Sequence, residues 1–298
     1  MFRYERGLQF QAVPEKPDVL LAKRFQEILG GQFGEMTVMM QYLWQGFNCR
    51  IPGKYKDMIM DIGTEEIGHV EMLTTMLARL LEGAPSDEQA KAMEANPTLA
   101  AIMGGMNPQH AIVTGGGPMP TNSQGVPWTA GYIVASGNLL TDFRSNAAAE
   151  GQSRLQTSRV MQTTDDPGVR EMLAFNLARD TYHQQQWMRG IEQLIEDGLA
   201  DDEIEHSNKE HEREDQTNTF WSFSEDSRAA EGAWVTKGTY DGRPVEFIAD
   251  PQPSADLGEL PPADPALFGT GAKPAPTTAG GLKQAAETVI DKAKDALS

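Results

Sequence analysis

Lys54–Leu81 reads KYKDMIMDIGTEEIGHVEMLTTMLARLL, and this stretch decides the fold. Met58, Ile62, Ile67, Val70, Leu73, Leu77 and Leu80 recur at steps of three and four, the pattern of an amphipathic helix. Gly83-Ala-Pro85 stops it. In its middle lies Glu66-Ile-Gly-His69, a carboxylate and an imidazole three residues apart and therefore on one helix face. A second stretch, Pro167 to Asp197, repeats the arrangement. Val169, Met172, Leu173, Leu177, Trp187, Ile191, Leu194 and Ile195 anchor it, Gly198 is a candidate C-cap, and Asp180-Thr-Tyr-His183 sits at its centre.

Each of these helices follows another. Asp18 is a candidate N-cap for a helix marked by Leu20, Leu21, Phe25, Ile28, Leu29, Phe33, Met36, Met40, Leu43 and Phe47, ending before Pro52-Gly53. Gly30, Gly31 and Gly34 inside it cost helix propensity. They are read as close approach by a neighbour within one continuous helix. A third helix is expected from about Gly131 to Thr164, with a stop at Thr164-Asp-Asp-Pro167. Two hairpins of helices about 30 residues and so about 45 Å long, joined by one long crossover, make an all-α, ferritin-like four-helix bundle.

The remaining organisation is built around that bundle. Residues 1–17 form an N-terminal arm, with a short strand as the alternative, and 18–198 form the bundle. Residues 199–260 form a C-terminal extension that wraps the bundle or neighbouring subunits. Trp221–Phe223, Trp234–Thr239 and Val245–Ile248 are its extended pieces. Residues 261–298 form a Pro/Ala/Gly linker and a tethered short helix. A short helix is expected at Asp87–Glu94. Residues 95–141 contain no Asp, Glu, Lys or Arg. Gly, Pro and Asn interrupt every apolar run there, so it is not a membrane span. A connection this long inside a compact domain packs on that domain or lies under another subunit.

Composition narrows the function. Among 298 residues the net charge is −18, which argues against nucleic acid and anionic membrane as partners. Residues 201–264 alone carry −12. The single cysteine, Cys49, excludes an intramolecular disulfide and any thiolate cluster held by this chain alone, and it reads as a small buried side chain. With a polar start from Met1 to Gln11, a cytoplasmic location is the default expectation.

The chemistry is carried by a repeat. The first and third helices each offer a carboxylate among apolar or small neighbours, Glu35 and Glu150. Glu35 precedes Glu66 by 31 residues and Glu150 precedes Asp180 by 30. Each half thus reads carboxylate, hairpin, carboxylate-x-x-His. A pseudo-twofold bundle brings all six side chains to its centre. Four carboxylates in an apolar core repel one another, and two divalent cations offset them. Oxygen and imidazole ligands without thiolate suit manganese or iron. A single such motif has a blander reading, in which Asp180 pairs with Arg179 or Arg144 on the surface. Two motifs at matched spacing favour metal. His110, His206 and His211 read as stray surface histidines, and Met36, Met39 and Met40 as core packing.

At these residues the chain resembles the manganese (non-haem) catalase family. The resemblance covers about residues 1–250. It rests on Leu29-Gly-Gly-Gln-Phe-Gly-Glu35, Tyr42, Thr64-Glu-Glu-Ile-Gly-His69-Val-Glu71, Gly104-Gly-Met-Asn-Pro108, Asp165-Asp-Pro-Gly168 and Ala178-Arg-Asp-Thr-Tyr-His183-Gln184. It implies disproportionation of hydrogen peroxide to water and oxygen at two manganese ions per subunit, cycling between Mn(II)2 and Mn(III)2. It further implies that Glu35, Glu66 and His69 hold one ion, that Glu66, Glu150 and His183 hold the other, and that Glu66 bridges them. Asp180 becomes an outer proton relay. Tyr42 stands near the metals, with an ordinary core tyrosine as the alternative. Arg154 is the nearest candidate for a basic residue beside Glu150.

The resemblance also implies a calcium-bridged homo-hexamer. Asp57 and Asp61, one turn apart, offer two hard oxygen ligands, and Ser222, Ser224 and Asp226 resemble the segment that completes such a site. The alternative is that Asp57 pairs with Lys54 or Lys56. The competing functions are a di-iron oxidase or ferroxidase on the same bundle, with Asp180 as a fourth ligating carboxylate, and a metal-storage assembly without turnover.

Overall fold

The computed structural model describes residues 4–82, 112–200 and 209–258. The chain divides into two compact units, Met1–Glu210 and His211–Ser298.

The first unit is the expected bundle, with one correction at its start. The first long helix is two helices, α1 (Val19–Gly30) and α2 (Glu35–Asn48). Asp18 caps α1, accepting from the Leu20 and Leu21 amides. Gly31 is extended (φ −71°, ψ 172°), and Gly34 is the N-cap of α2. The glycines therefore mark a break as well as a close approach. A Cβ on Gly30 would collide with the Thr121 carbonyl of the crossover, and one on Gly34 would lie 2.7 Å from the Leu29 carbonyl oxygen. The apolar spacing hid the break because Phe33, counted as an anchor, is on the exposed side. The restart makes Glu35 the first residue of α2, where the helix dipole favours a carboxylate.

The other helices are α3 (Lys54–Leu80), α4 (Leu139–Met161) and α5 (Pro167–Glu196). Helix α4 starts later than the expected Gly131. Ala130–Tyr132 is only a 3-10 turn, and Asn138 caps α4 by accepting from the Thr141 amide. Asp166 caps α5 through the Val169 amide, with Pro167 at the first position, where its missing N–H costs nothing. Gly198 (φ 68°) supplies the left-handed turn beyond α5. The hairpins are α2–α3 and α4–α5.

Two apolar clusters fill the bundle. One gathers Phe25, Leu29, Leu73, Leu77, Val160, Met172 and Leu173; the other gathers Val38, Tyr42, Ile59, Ile62, Phe143 and Trp187. Each fully buried side chain of this size contributes about 1.5–3 kcal/mol. Helices α3, α4 and α5 each run from one cluster into the other. Their buried polar residues fall between, so the bundle carries a polar layer across its middle. The crossover from Ile112 onward is pinned to α1 and α2. Gln26 donates to the Thr121 carbonyl (2.7 Å), Glu27 accepts from the Ser123 amide (2.9 Å), and Trp128 donates to Thr37 (3.0 Å). The arm forms no strand among the described residues. Its Ala12 joins the first cluster, and Phe10 stacks on Phe175 (4.9 Å).

In the second unit, β1 (Thr219–Ser222) pairs in parallel with β2 (Glu246–Ala249), Thr219 opposite Glu246. The expected extended piece at Trp234–Thr239 is instead a single helical turn, α6 (Ala233–Thr236), followed by a turn through Gly238 (φ 79°). The expected helices at 87–94 and near the C-terminus, the Gly104–Pro108 loop, His110, His206 and residues 261–298 lie outside the described residues. No described helix is long and apolar enough to cross a membrane.

Candidate metal centre

The polar layer contains all six expected side chains. Glu35 comes from α2, Glu66 and His69 from α3, Glu150 from α4, and Asp180 and His183 from α5; each is buried to within about one per cent. Glu66 lies at the centre. Its Oε2 is 2.7 Å from His69 Nδ1, and its Oε1 is 2.7 Å from His183 Nδ1. Glu35 Oε2 approaches His69 Nδ1 at 3.5 Å, and Glu150 Oε1 approaches His183 Nδ1 at 3.8 Å. The result is two carboxylate–imidazole groups sharing one carboxylate.

Several of these atoms have no hydrogen-bond partner. Glu35 Oε2, Glu66 Oε1 and His183 Nδ1 are buried and unsatisfied. Lone pairs that converge without sharing a proton are the arrangement a cation requires. Ligating atoms of Glu66, His69 and His183, of Glu35, His69 and Asp180, and of Glu150, Asp180 and His183 each lie within 4.8 Å of one another. The donor set is oxygen and imidazole nitrogen, which suits manganese or iron.

Electrostatics agree. Burial and then the Glu66 charge raise Glu35 and Glu150. Burial and then the Glu35 charge raise Asp180 well above the carboxylate range. Burial opposes ionisation of Glu66, but the His69 charge and the close approach of both imidazoles outweigh it and hold Glu66 well below that range. Burial works against a charged His183, yet Glu65 and Glu66 push it up to about 10. The centre binds protons tightly because it carries more negative charge than its surroundings neutralise. Divalent ions answer the same demand.

The sequence comparisons point the same way. The family model for manganese-containing catalases matches residues 1–294. The chain belongs to the manganese catalase family. A manganese catalase of Bacillus subtilis is 50% identical over 276 residues, spanning 91% of this chain and 98% of that protein. One from Lactiplantibacillus plantarum is 42% identical over 270 residues, 90% and 98% of the two chains. The crystal structure of wild-type KatB, a manganese catalase from Anabaena, superposes with a TM-score of 0.65 at 25% identity, covering 84% of this chain and all of that one.

Around the centre the structure shows the neighbours of the residues singled out by the sequence. Asp180 is not a surface partner of Arg179. It is buried, and Asn176 Nδ2 donates to its Oδ1 (3.0 Å) and also to Glu35 Oε1 (2.9 Å). Ser153 Oγ lies 3.4 Å from both carboxylates. Arg179 instead binds Glu65 through Nε (2.6 Å) and Nη2 (3.1 Å). Tyr42 is fully buried, and its hydroxyl donates to Glu150 Oε1 at 2.6 Å. Arg154 does not reach Glu150; it donates to Gln184 (2.7 Å).

Glu65, Asn176 and Ser153 are the contributors that sequence reasoning missed. Asn176 stands one turn before Asp180 and Ser153 one turn after Glu150, so helical spacing from known anchors was the available signal. Cys49 is buried as expected. Asp57 and Asp61 are exposed on one face of α3. In the second unit Ser222 and Ser224 hydroxyls lie 3.3 Å apart, and Asp226 pairs with Arg228 (2.6 Å).

Proposed function

We propose that the chain is a non-haem manganese catalase that converts hydrogen peroxide to water and oxygen. Glu35, Glu66 and His69 hold one manganese, and Glu66, Glu150 and His183 hold the second. The observation that carries this reading is the division of Glu66, one oxygen to each imidazole at 2.7 Å. Manganese, when bound, supplies the two-electron capacity between Mn(II)2 and Mn(III)2 that disproportionation needs.

The protein supplies the setting. Apolar clusters on both sides of the polar layer exclude water and keep charge interactions strong. Tyr42 fixes the Glu150 carboxylate by donating to Oε1. Asn176 and Ser153 hold the Asp180 carboxyl beside Glu35, 4.0 Å from His69 Nδ1. Burial and the Glu35 charge raise the Asp180 carboxyl, and its position beside Glu35 lets it give a proton to the departing water and take one from the next peroxide.

Metal analysis with an oxygen electrode tests this. Manganese-loaded protein releases oxygen from peroxide. Iron-loaded protein that releases none, as the isolated native form, would point to the di-iron alternative. Many ions per chain without turnover would point to storage. The family's calcium-bridged hexamer extends the proposal: Asp57 and Asp61 would meet Ser222, Ser224 and Asp226, with Asp226 leaving Arg228. Light scattering before and after calcium chelation reads this, and an unchanged mass contradicts it.

A further inference from the structure

The two halves of the centre also match one position earlier. Glu65 precedes Glu66, and Arg179 precedes Asp180. In the bundle these equivalent positions meet. The Arg179 guanidinium grips both Glu65 oxygens, and the pair is only partly exposed, at 23% for Glu65 and 34% for Arg179. Beneath it lie the two imidazoles, fully buried and nearly parallel, with ring centroids 5.6 Å apart and planes 24° apart. Their Nδ1 atoms face the central carboxylates. Their Nε2 atoms lie on the Glu65 side: His183 Nε2 is 3.1 Å from Oε2 and His69 Nε2 is 3.7 Å from Oε1, and both Nε2 atoms are buried with no closed hydrogen bond, so Glu65 is the acceptor poised for them.

A neutral imidazole carries one ring hydrogen. To ligate through Nδ1 it must carry that hydrogen on Nε2, and a buried N–H needs an acceptor. We infer that Glu65, clamped by Arg179, is a positioning residue that orients both metal-binding histidines at once and so couples the two manganese sites. The inference rests on the manganese reading above. One carboxylate serving two rings predicts joint failure: loosening Glu65 turns both Nδ1 atoms away from the centre. Using one acid and one base at equivalent positions avoids the repulsion that two acids there would produce.

The test is manganese(II) titration of the apo full-length chain against a competing chelator, with the electron paramagnetic resonance spectrum of the loaded protein. Glu65→Ala and the isosteric Glu65→Gln are expected to weaken manganese about ten- to a hundredfold, at both sites together, and to change the spectrum. Glu65→Asp should recover part of the loss. Arg179→Met should show a smaller loss that does not add to that of Glu65→Gln. Thermal melts of the apo proteins check that each variant folds, and the Gln variant carries the test if the Ala variant does not. Wild-type protein that binds no manganese overturns the metal reading itself. Wild-type protein that binds two ions, with Glu65→Gln unchanged in affinity and spectrum, overturns only the role of Glu65.

Discussion

The two halves of the bundle place the same kinds of residue at the same positions and then use them differently. In the first half Glu66 reaches the centre and divides its oxygens between both histidines. In the second, Asp180 is one methylene shorter and stops beside Glu35, held by Asn176 and Ser153. Tyr42 stands two turns after Glu35 and braces Glu150. Its counterpart, Thr157, stands two turns after Glu150, and its buried hydroxyl has no hydrogen-bond partner. Glu35 takes its support from Asn176 instead. Repetition of the helical hairpin sets where side chains converge. Side-chain length at equivalent positions then decides which acid reaches both imidazoles and which stays beside Glu35.

The largest effect expected from breaking this asymmetry is at Glu66. Glu66→Ala removes the one ligand shared by both groups, and elemental analysis should find manganese reduced at both sites, with oxygen release lost. Retention of one full equivalent of manganese would contradict the bridge. Asp180→Ala should keep both ions and lose turnover by about a hundred- to ten-thousandfold, the usual worth of a positioned acid–base group. Full activity in that variant would remove Asp180 from the mechanism. Asp180→Glu sharpens the comparison, because a second long carboxylate should enter the centre and alter the electron paramagnetic resonance spectrum.

A pH series separates the two occupants of the centre. His183 is raised from the ordinary 6.5 to about 10, so its contribution to apo stability is complete below 6.5 and lost as pH rises through about 10. The raised carboxyls of Glu35, Glu150 and Asp180 act in the same direction, binding more protons folded than unfolded. Melting temperature of the apo chain should therefore fall from pH 6 to pH 10. The manganese-loaded chain should resist that fall, because metal displaces the same protons and binds better as pH rises. Parallel curves for the two forms would contradict this. Tyr42→Phe is the mildest change. It removes one hydrogen bond to a carboxylate and should cost about 1.5–3 kcal/mol in unfolding experiments, with both metals retained.

Much of this was legible in the sequence, for identifiable reasons. Matched spacing of Glu35–Glu66 and Glu150–Asp180 exposed the centre, because helical geometry turns spacing into a shared face. The caps at Asp18 and the turn at Gly198 were readable because their chemistry is local. The break at Gly31–Gly34 was not, since apolar residues kept helical spacing across it, and the crowding of Gly30 by Thr121 comes from a distant segment. Nor was the pairing of Arg179 with Glu65, which depends on how α3 and α5 face each other. Likewise, Trp234 to Thr236 became a helical turn although its β-prone residues suggested an extended piece.

Two ions are expected to act as one unit through Glu66. Oxygen release measured against manganese bound per chain, as the apo protein is filled, reads this coupling. Little oxygen release is expected through the first equivalent, followed by an upward-curving rise and a maximum at two per chain. Activity that climbs linearly from the first ion and saturates at one would contradict it.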